Sequence, residues 1–180
     1  MTGRLIAVVG PSGVGKDTVM TMMAENAPSL GVVRRVITRP ADAGGEDFDS
    51  VDVETFKHMQ SRGDFALSWM AHGLHYGIPG AIRSSLTGGT DLLVNLSRGV
   101  LEEACQKFPG LITILLTARP EVLAARLAER GREDKADIAR RLGRANFALP
   151  ESVTATEIDN SGALDATVDR TLAVLYPVSA

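Results

Sequence analysis

One cysteine in 180 residues, Cys105, leaves no partner for an internal disulfide and too few thiolates for a cysteine-only metal site. That scarcity fits a reducing compartment, and Cys105 reads as a packing residue. Long apolar runs are also missing, which excludes a membrane-spanning helix as the organising element. The early run Leu5 to Val9 has one basic residue before it, Arg4, and ends in a glycine loop, too short for a signal peptide; the expected location is the cytoplasm. Nor is there an excess of positive charge. Against 22 acidic residues stand 19 basic ones, a net charge of −3, so no global field draws the chain to nucleic acid or anionic lipid. An anionic ligand must therefore be held by local clusters. Internal repeats, low-complexity segments and zinc-spaced His/Cys/Asp groups are absent as well. What remains is an ordinary globular composition, 44% hydrophobic and 23% charged, sized for one compact domain.

Leu5 to Val9 reads as a buried strand, and the segment from Lys16, with Val19, Met20, Met22 and Met23, as a helix packing back on it. Apolar runs recur at Leu92 to Leu96 and Leu111 to Leu116, each followed by a helical pattern. That alternation predicts a mostly parallel sheet covered by helices. Between these units lies an insertion, about residues 37–90, with a Gly- and Asp-rich stretch, a short helix near Asp52 to Arg62 and two glycine-punctuated extended pieces. From Arg119 the pattern is helical through Arg130, breaks at Gly131 and resumes near Asp134 to Phe147. Glu157 to Asn160 reads as a last strand end, and Ala163 to Leu175 as a closing helix.

Gly10-Pro11-Ser12-Gly13-Val14-Gly15-Lys16 satisfies the first seven positions of G-x-x-x-x-G-K-[ST], with a strand before it and a helix after it. Its glycines let backbone N–H groups turn inward toward phosphate oxygens, the helix N-terminus adds partial positive charge, and Lys16 supplies a full one. The eighth position holds Asp17 in place of a hydroxyl. Asp17 can serve a magnesium ion as a hard oxygen ligand, or it sits in the first turn for the helix dipole while Thr18 supplies the hydroxyl. Both readings stand.

The phosphate loop, Thr38-Arg39-Pro40, Gly73-Leu-His-Tyr-Gly77 and Arg126-Leu-Ala-Glu-Arg-Gly131 together resemble the guanylate kinases in order and spacing. The resemblance implies a nucleoside-monophosphate-kinase-like α/β fold: one P-loop kinase domain over residues 1–180, an acceptor-binding insertion at about 37–90 and an arginine-bearing lid at about 126–147. Guanylate kinases read their acceptor with a second arginine, a tyrosine and an acid at places where this chain has Ala41 to Gly44, Phe48 and Leu67. Losing the acid that pairs with guanine argues against GMP. An acidic pair at the end of the next strand is replaced by Asn95 and Ser97, followed by Arg98.

These departures, with Asp17, Leu67-Ser-Trp69, His72 to Gly77 and Arg130-Gly-Arg-Glu133, are similar to the ribose 1,5-bisphosphate phosphokinase family. The resemblance implies transfer of the γ-phosphate of ATP, with Mg2+, to the 1-phosphate of ribose 1,5-bisphosphate. The product is 5-phospho-α-D-ribose 1-diphosphate, made in phosphonate catabolism. The partner implied is a small sugar bisphosphate, with no nucleic acid and no membrane. A nucleoside-monophosphate kinase is the competing enzyme and a non-catalytic binding module the competing non-enzyme. Leu67 argues against the first, and Lys16 with the lid arginines against the second.

An acceptor with two phosphates needs cations at two places, and Arg39 and Arg98 are the candidates, with Tyr76, Asn95 and Ser97 beside them. The plainer alternatives are a solvated turn arginine for Arg39, a helix cap for Ser97 and packing for Trp69 and Tyr76. His72 and His75 are donors in reach of a phosphate or purely structural. On the donor side the resemblance places Gly10 to Thr18 around the triphosphate and Asn160 near adenine. Arg126 and Arg130 share a helix face, and Arg132, Arg140, Arg141 and Arg144 continue the basic hairpin. The reading gives Arg126, Arg130 and Arg141, with Lys16, the catalytic work of neutralising the transferring group; the alternative is a solvated pair of charged helices. Because the acceptor phosphate is already ionised, positioning and electrostatics suffice without a general base.

Overall fold

The uninterrupted apolar run Leu5–Val9 forms β1, and its side chains alternate between two cores because both faces of the strand are covered. The computed structural model describes residues 2–43, 45–129 and 148–177. In it β1 is the centre of a five-stranded sheet with β2 (Leu30–Val32), β7 (Asp91–Asn95), β8 (Ile112–Thr117) and β9 (Thr156–Asp159), in the order β2-β7-β1-β8-β9. Every pairing in this sheet is parallel, with Ala7 opposite Val94 on one side and Thr113 on the other. Leu5, Ala7 and Val9 point into one cluster with Leu92, Val94, Leu101 and Ala104. Ile6 and Val8 point into the other, against Val19, Met20 and Met23 of α1 (Lys16–Asn26) and Val168 and Leu175 of the closing helix, Leu164–Leu175.

The insertion builds a second sheet of four strands, order β4-β3-β6-β5, from β3 (Arg35–Ile37), β4 (Phe48–Ser50), β5 (Phe65–Ala71) and β6 (Leu74–Pro79). Its β3–β4 pair is parallel and the others antiparallel, so the parallel rule holds for the central sheet only. The β5–β6 hairpin closes on His72 (φ 53°) and Gly73 (φ 75°), two consecutive positive φ angles of the kind a tight hairpin turn requires. His72 is thereby a turn residue. Beside the sheet lies α2 (Val53–Ser61), capped by Asp52, whose Oδ1 accepts from the Thr55 N–H at 2.6 Å. Next in the chain come α3 (Ile82–Thr87) and α4 (Leu101–Lys107). Ala66, Leu67, Ile78 and Ile82 belong to the same cluster as Leu92 and Val94, which fixes the second sheet against the first.

After β8, α5 (Pro120–Glu129) buries Leu123 and Leu127, the apolar face read from the sequence, and the closing helix is α6. No helix among the described residues is long and apolar enough to cross a membrane.

Candidate active site

The phosphate loop leaves β1 and enters α1 through Gly15, whose left-handed backbone (φ 95°) admits no side chain, since a Cβ there would meet Asn160 Nδ2 at 3.0 Å. Gly13 (φ 83°) is similarly confined: a Cβ there would lie 3.0 Å from Leu127 Cγ, so α5 packs directly under the loop. The cap position of α1 is Gly15, which has no side chain to cap the helix, and the N-terminal end of α1 faces the loop with the partial positive charge that favours an anion. Lys16 lies over the loop, its Nζ donating to the carbonyls of Gly10 at 3.0 Å and Pro11 at 3.3 Å. Ser12 and Thr18 are exposed, while Val14 is buried in the core beneath.

Two side chains grip the loop from α5 and from the end of β9. Arg126 donates to Val14 O at 3.2 Å and Asn160 O at 2.9 Å, and Asn160 Nδ2 donates to Val14 O at 2.8 Å. Asn160 is 3% exposed and its Oδ1 has no partner among the described residues. Together with Gly13, Gly15, Thr18 and Glu129 they line a cleft of about 320 Å³. Arg126 is thus anchored to the phosphate loop itself. Arg130, Arg132, Arg140, Arg141 and Arg144 lie outside the described residues.

On the side of the loop that faces β7, Asn95 (8% exposed) donates from Nδ2 to Asp17 Oδ1 at 2.8 Å. Its carbonyl accepts from Arg35 NH1 at 3.0 Å, and Arg35 also donates from Nε to Glu46 Oε2 at 2.7 Å and from NH2 to Glu46 Oε1. Arg39 NH2 approaches Glu46 Oε1 at 3.7 Å, and the Arg39 guanidinium stacks over Phe48 at 4.2 Å. Arg39 is therefore no solvated turn residue. Asp17, Thr18, Asn95, Gly45 and Glu46 line a second cleft of about 320 Å³ between α1 and the loop before β4.

Tyr76 stacks on Trp69 (5.3 Å between centroids, 8° between planes), with the Arg35 guanidinium 5.1 Å from the Tyr76 ring. Burial raises the Tyr76 phenol above its usual range and outweighs the pull of Arg35 and Arg39. Trp69 Nε1 donates to Ser97 Oγ at 3.0 Å; Ser97 stands at the cap position of the turn Arg98–Val100, but its hydroxyl caps nothing. Arg98 opens that turn and is exposed. His75 pairs through its backbone, donating to Thr38 Oγ1 at 2.9 Å, and its ring lies against Phe56. No group of three or more His, Cys, Asp or Glu among the described residues is placed to hold a metal.

Asn95 and Asp17 are brought together, and Arg39 and Tyr76 share one charge cluster. Arg98 follows Ser97, whose hydroxyl meets the Trp69 indole at the edge of that cluster. Arg35 and Glu46 were missed by the reading of the sequence. Arg35 opens β3 and Glu46 lies in the loop before β4, and no period or motif in the sequence joins the two.

A parallel sheet with this phosphate loop ahead of α1, and arginines on both flanks, defines a P-loop kinase. No family model matches the chain. It is 53% identical over 174 residues to the ribose 1,5-bisphosphate phosphokinase PhnN of Ruegeria sp., covering 96% of this chain and 92% of that one. To the protein of the same name from Agrobacterium fabrum it is 45% identical over 164 residues, covering 89% and 90%. A guanylate kinase from Anaplasma phagocytophilum shares the fold at 20% identity and TM-score 0.73, over 97% of this chain and 85% of that one. The chain belongs to the ribose 1,5-bisphosphate phosphokinase family.

Proposed function

We propose that this chain transfers the γ-phosphoryl group of ATP to the 1-phosphate of ribose 1,5-bisphosphate, giving 5-phospho-α-D-ribose 1-diphosphate for phosphonate catabolism. The observation that carries this reading is the 53% identity over 174 residues to a phosphokinase of that name. An oxygen of the 1-phosphate attacks the γ-phosphorus, the bond to the β-phosphate oxygen breaks and ADP leaves. Residues 1–180 act as one kinase domain in the cytoplasm, with residues 37–90 serving the acceptor and 126–147 the lid.

Lys16 and the loop from Gly10 to Thr18 hold the donor phosphates, and Asn160 takes the nucleoside end of ATP. Magnesium, when bound, neutralises charge across those phosphates. The residues fit it: Asn95 occupies Asp17 Oδ1, no described residue donates to Asp17 Oδ2, and the exposed Thr18 lines both clefts. Asp17 is the ligand we assign. Arg39 and Arg98 take the acceptor's two phosphates, with Tyr76, Asn95 and Ser97 around the sugar. Arg126, with Arg130 and Arg141, supplies positive charge to the transferring group and helps exclude water. Leu67 is 1% exposed in the apolar core and offers no polar partner to a base, in keeping with an acceptor that has none.

The test is purified protein with ATP, magnesium and each acceptor in turn, following ADP. Turnover with the bisphosphate and not with GMP is expected; the reverse would sink the assignment. Lys16→Ala should lower kcat at least about 100-fold, as loss of a transition-state charge contact does.

A further inference from the structure

Glu46 stands between two arginines that are committed to different degrees. All three nitrogens of Arg35 are engaged, Nε and NH2 with the Glu46 carboxylate and NH1 with the Asn95 carbonyl. With its side chain 6% exposed, Arg35 is an anchor and not a ligand-binding group. Arg39 differs. Its NH2 lies 3.7 Å from Glu46 Oε1, close enough for attraction and too far for a hydrogen bond, and its buried Nε and NH2 have no hydrogen-bond partner among the described residues. The nearby acids Asp47 and Asp49 are both paired with Arg34. Among the described residues, two arginines face one carboxylate, and two nitrogens of Arg39 have no hydrogen-bond partner. The Arg39 side chain keeps 23% of its surface exposed, so an anion arriving from solvent can complete it.

We infer that Glu46 is a positioning residue for the acceptor: anchored by Arg35, it holds Arg39 by charge alone, leaving Nε and NH2 open for a phosphate of the sugar bisphosphate. The inference rests on the proposed acceptor. Glu46 also lines the cleft that contains Asp17 and Asn95, so the same carboxylate faces the phosphate loop. Through Arg35 and the Asn95 carbonyl, and then Asn95 Nδ2, the acceptor cluster is linked by hydrogen bonds to Asp17.

The rival arrangement is Glu46 as an internal stand-in for the phosphate, competing with it for Arg39. The two arrangements predict opposite signs. A positioning carboxylate, once neutralised, weakens acceptor binding; a competing one, once neutralised, tightens it.

The experiment compares wild type, Glu46→Gln, Glu46→Asp and Arg39→Ala. Ribose 1,5-bisphosphate is titrated without nucleotide, following the fluorescence of Trp69, the single tryptophan, which stacks on Tyr76 and lies 5.9 Å from the Arg35 guanidinium. Steady-state KM and kcat for both substrates are then measured. Glu46→Gln should raise the Kd and KM for the bisphosphate about tenfold or more, the scale of a lost charge-assisted contact, with the KM for ATP within about twofold. Glu46→Asp, which keeps the charge at shorter reach, should recover part of the loss, and it decides the matter if Glu46→Gln does not fold. Unchanged or tighter acceptor binding in Glu46→Gln, or a full loss in Glu46→Asp, overturns the inference. An Arg39→Ala variant that binds as wild type does, or wild type that neither binds nor turns over the bisphosphate, overturns the acceptor reading beneath it.

Discussion

Asn95 Nδ2 donates to Asp17 Oδ1 at 2.8 Å, tying the end of β7 to the first turn of α1. The hydrogen bond spends one carboxylate oxygen and orients the other; on the proposed assignment of magnesium to Asp17, Asn95 is then the partner that orients the ligand. Asn95→Ala should therefore raise the magnesium concentration needed for half-maximal activity about tenfold, in addition to any rise in KM for the bisphosphate from its place beside the sugar. Asp17→Ser should do at least as much. A magnesium titration in which Asp17→Ser matches wild type would assign the metal to Thr18.

Arg126 joins two chain segments that sequence keeps far apart, donating to the carbonyls of Val14 and Asn160. Hydrogen bonds from a charged donor are worth about 1.5–3 kcal/mol each when removed. Arg126→Ala should lower stability to urea by about that much and raise KM for ATP. Arg126→Lys restores the charge without the planar fork and should recover little of either. An ATP KM equal to wild type in Arg126→Ala would remove this residue from the donor site.

Some of this was legible in the residues and some was not, for physical reasons. β1 is an unbroken apolar run because both of its faces are buried, and the loop after it has a pattern fixed by phosphate geometry. The hairpin of β5 and β6 announces itself by glycines. The strands β2, β3 and β4 are three residues each, too short for a period, and β3 begins with a buried arginine. Arg35 is tolerable there only because Glu46, in a stretch that reads as a turn, supplies its counter-charge. That pairing is a property of tertiary contact, invisible to composition or spacing.

Acid stability should report on a different corner of the molecule. Asp91 accepts from the Arg4 N–H and guanidinium at 2.6 Å and from the Tyr176 hydroxyl at 2.8 Å. Burial works to raise its pKa, but the hydrogen bonds from Arg4 and Tyr176 and the charge of Arg4 outweigh it, and the net direction is down. A depressed carboxyl adds stability that is whole above the unfolded value, about 3.9, and disappears as pH falls through the lower folded value. The stability gap between wild type and Asp91→Asn should thus be constant from about pH 7 to about pH 5 and narrow below about pH 4. A gap that persists undiminished in stronger acid would mean that the ionised carboxylate is not its source.

Leu67 gives the sharpest contrast with guanylate kinases, whose resemblance places an acid at that position. Leu67 sits in the apolar cluster with Ile78, Ile82 and Val94, and is paired across the hairpin with Ile78. Restoring an acid by Leu67→Glu puts a carboxylate among hydrocarbon side chains with no cation provided for it, since Arg35 and Arg39 are already arranged about Glu46. The group must either stay protonated or pull water into the core, at a cost of about 3–5 kcal/mol. The variant should melt well below wild type and should gain no measurable GMP phosphorylation. Leu67→Met, close in volume, should stay within about 1.5 kcal/mol of wild type and keep its KM for the bisphosphate. Appearance of GMP turnover in a folded Leu67→Glu protein would show instead that the base pocket survives in this family and lacks only its acid.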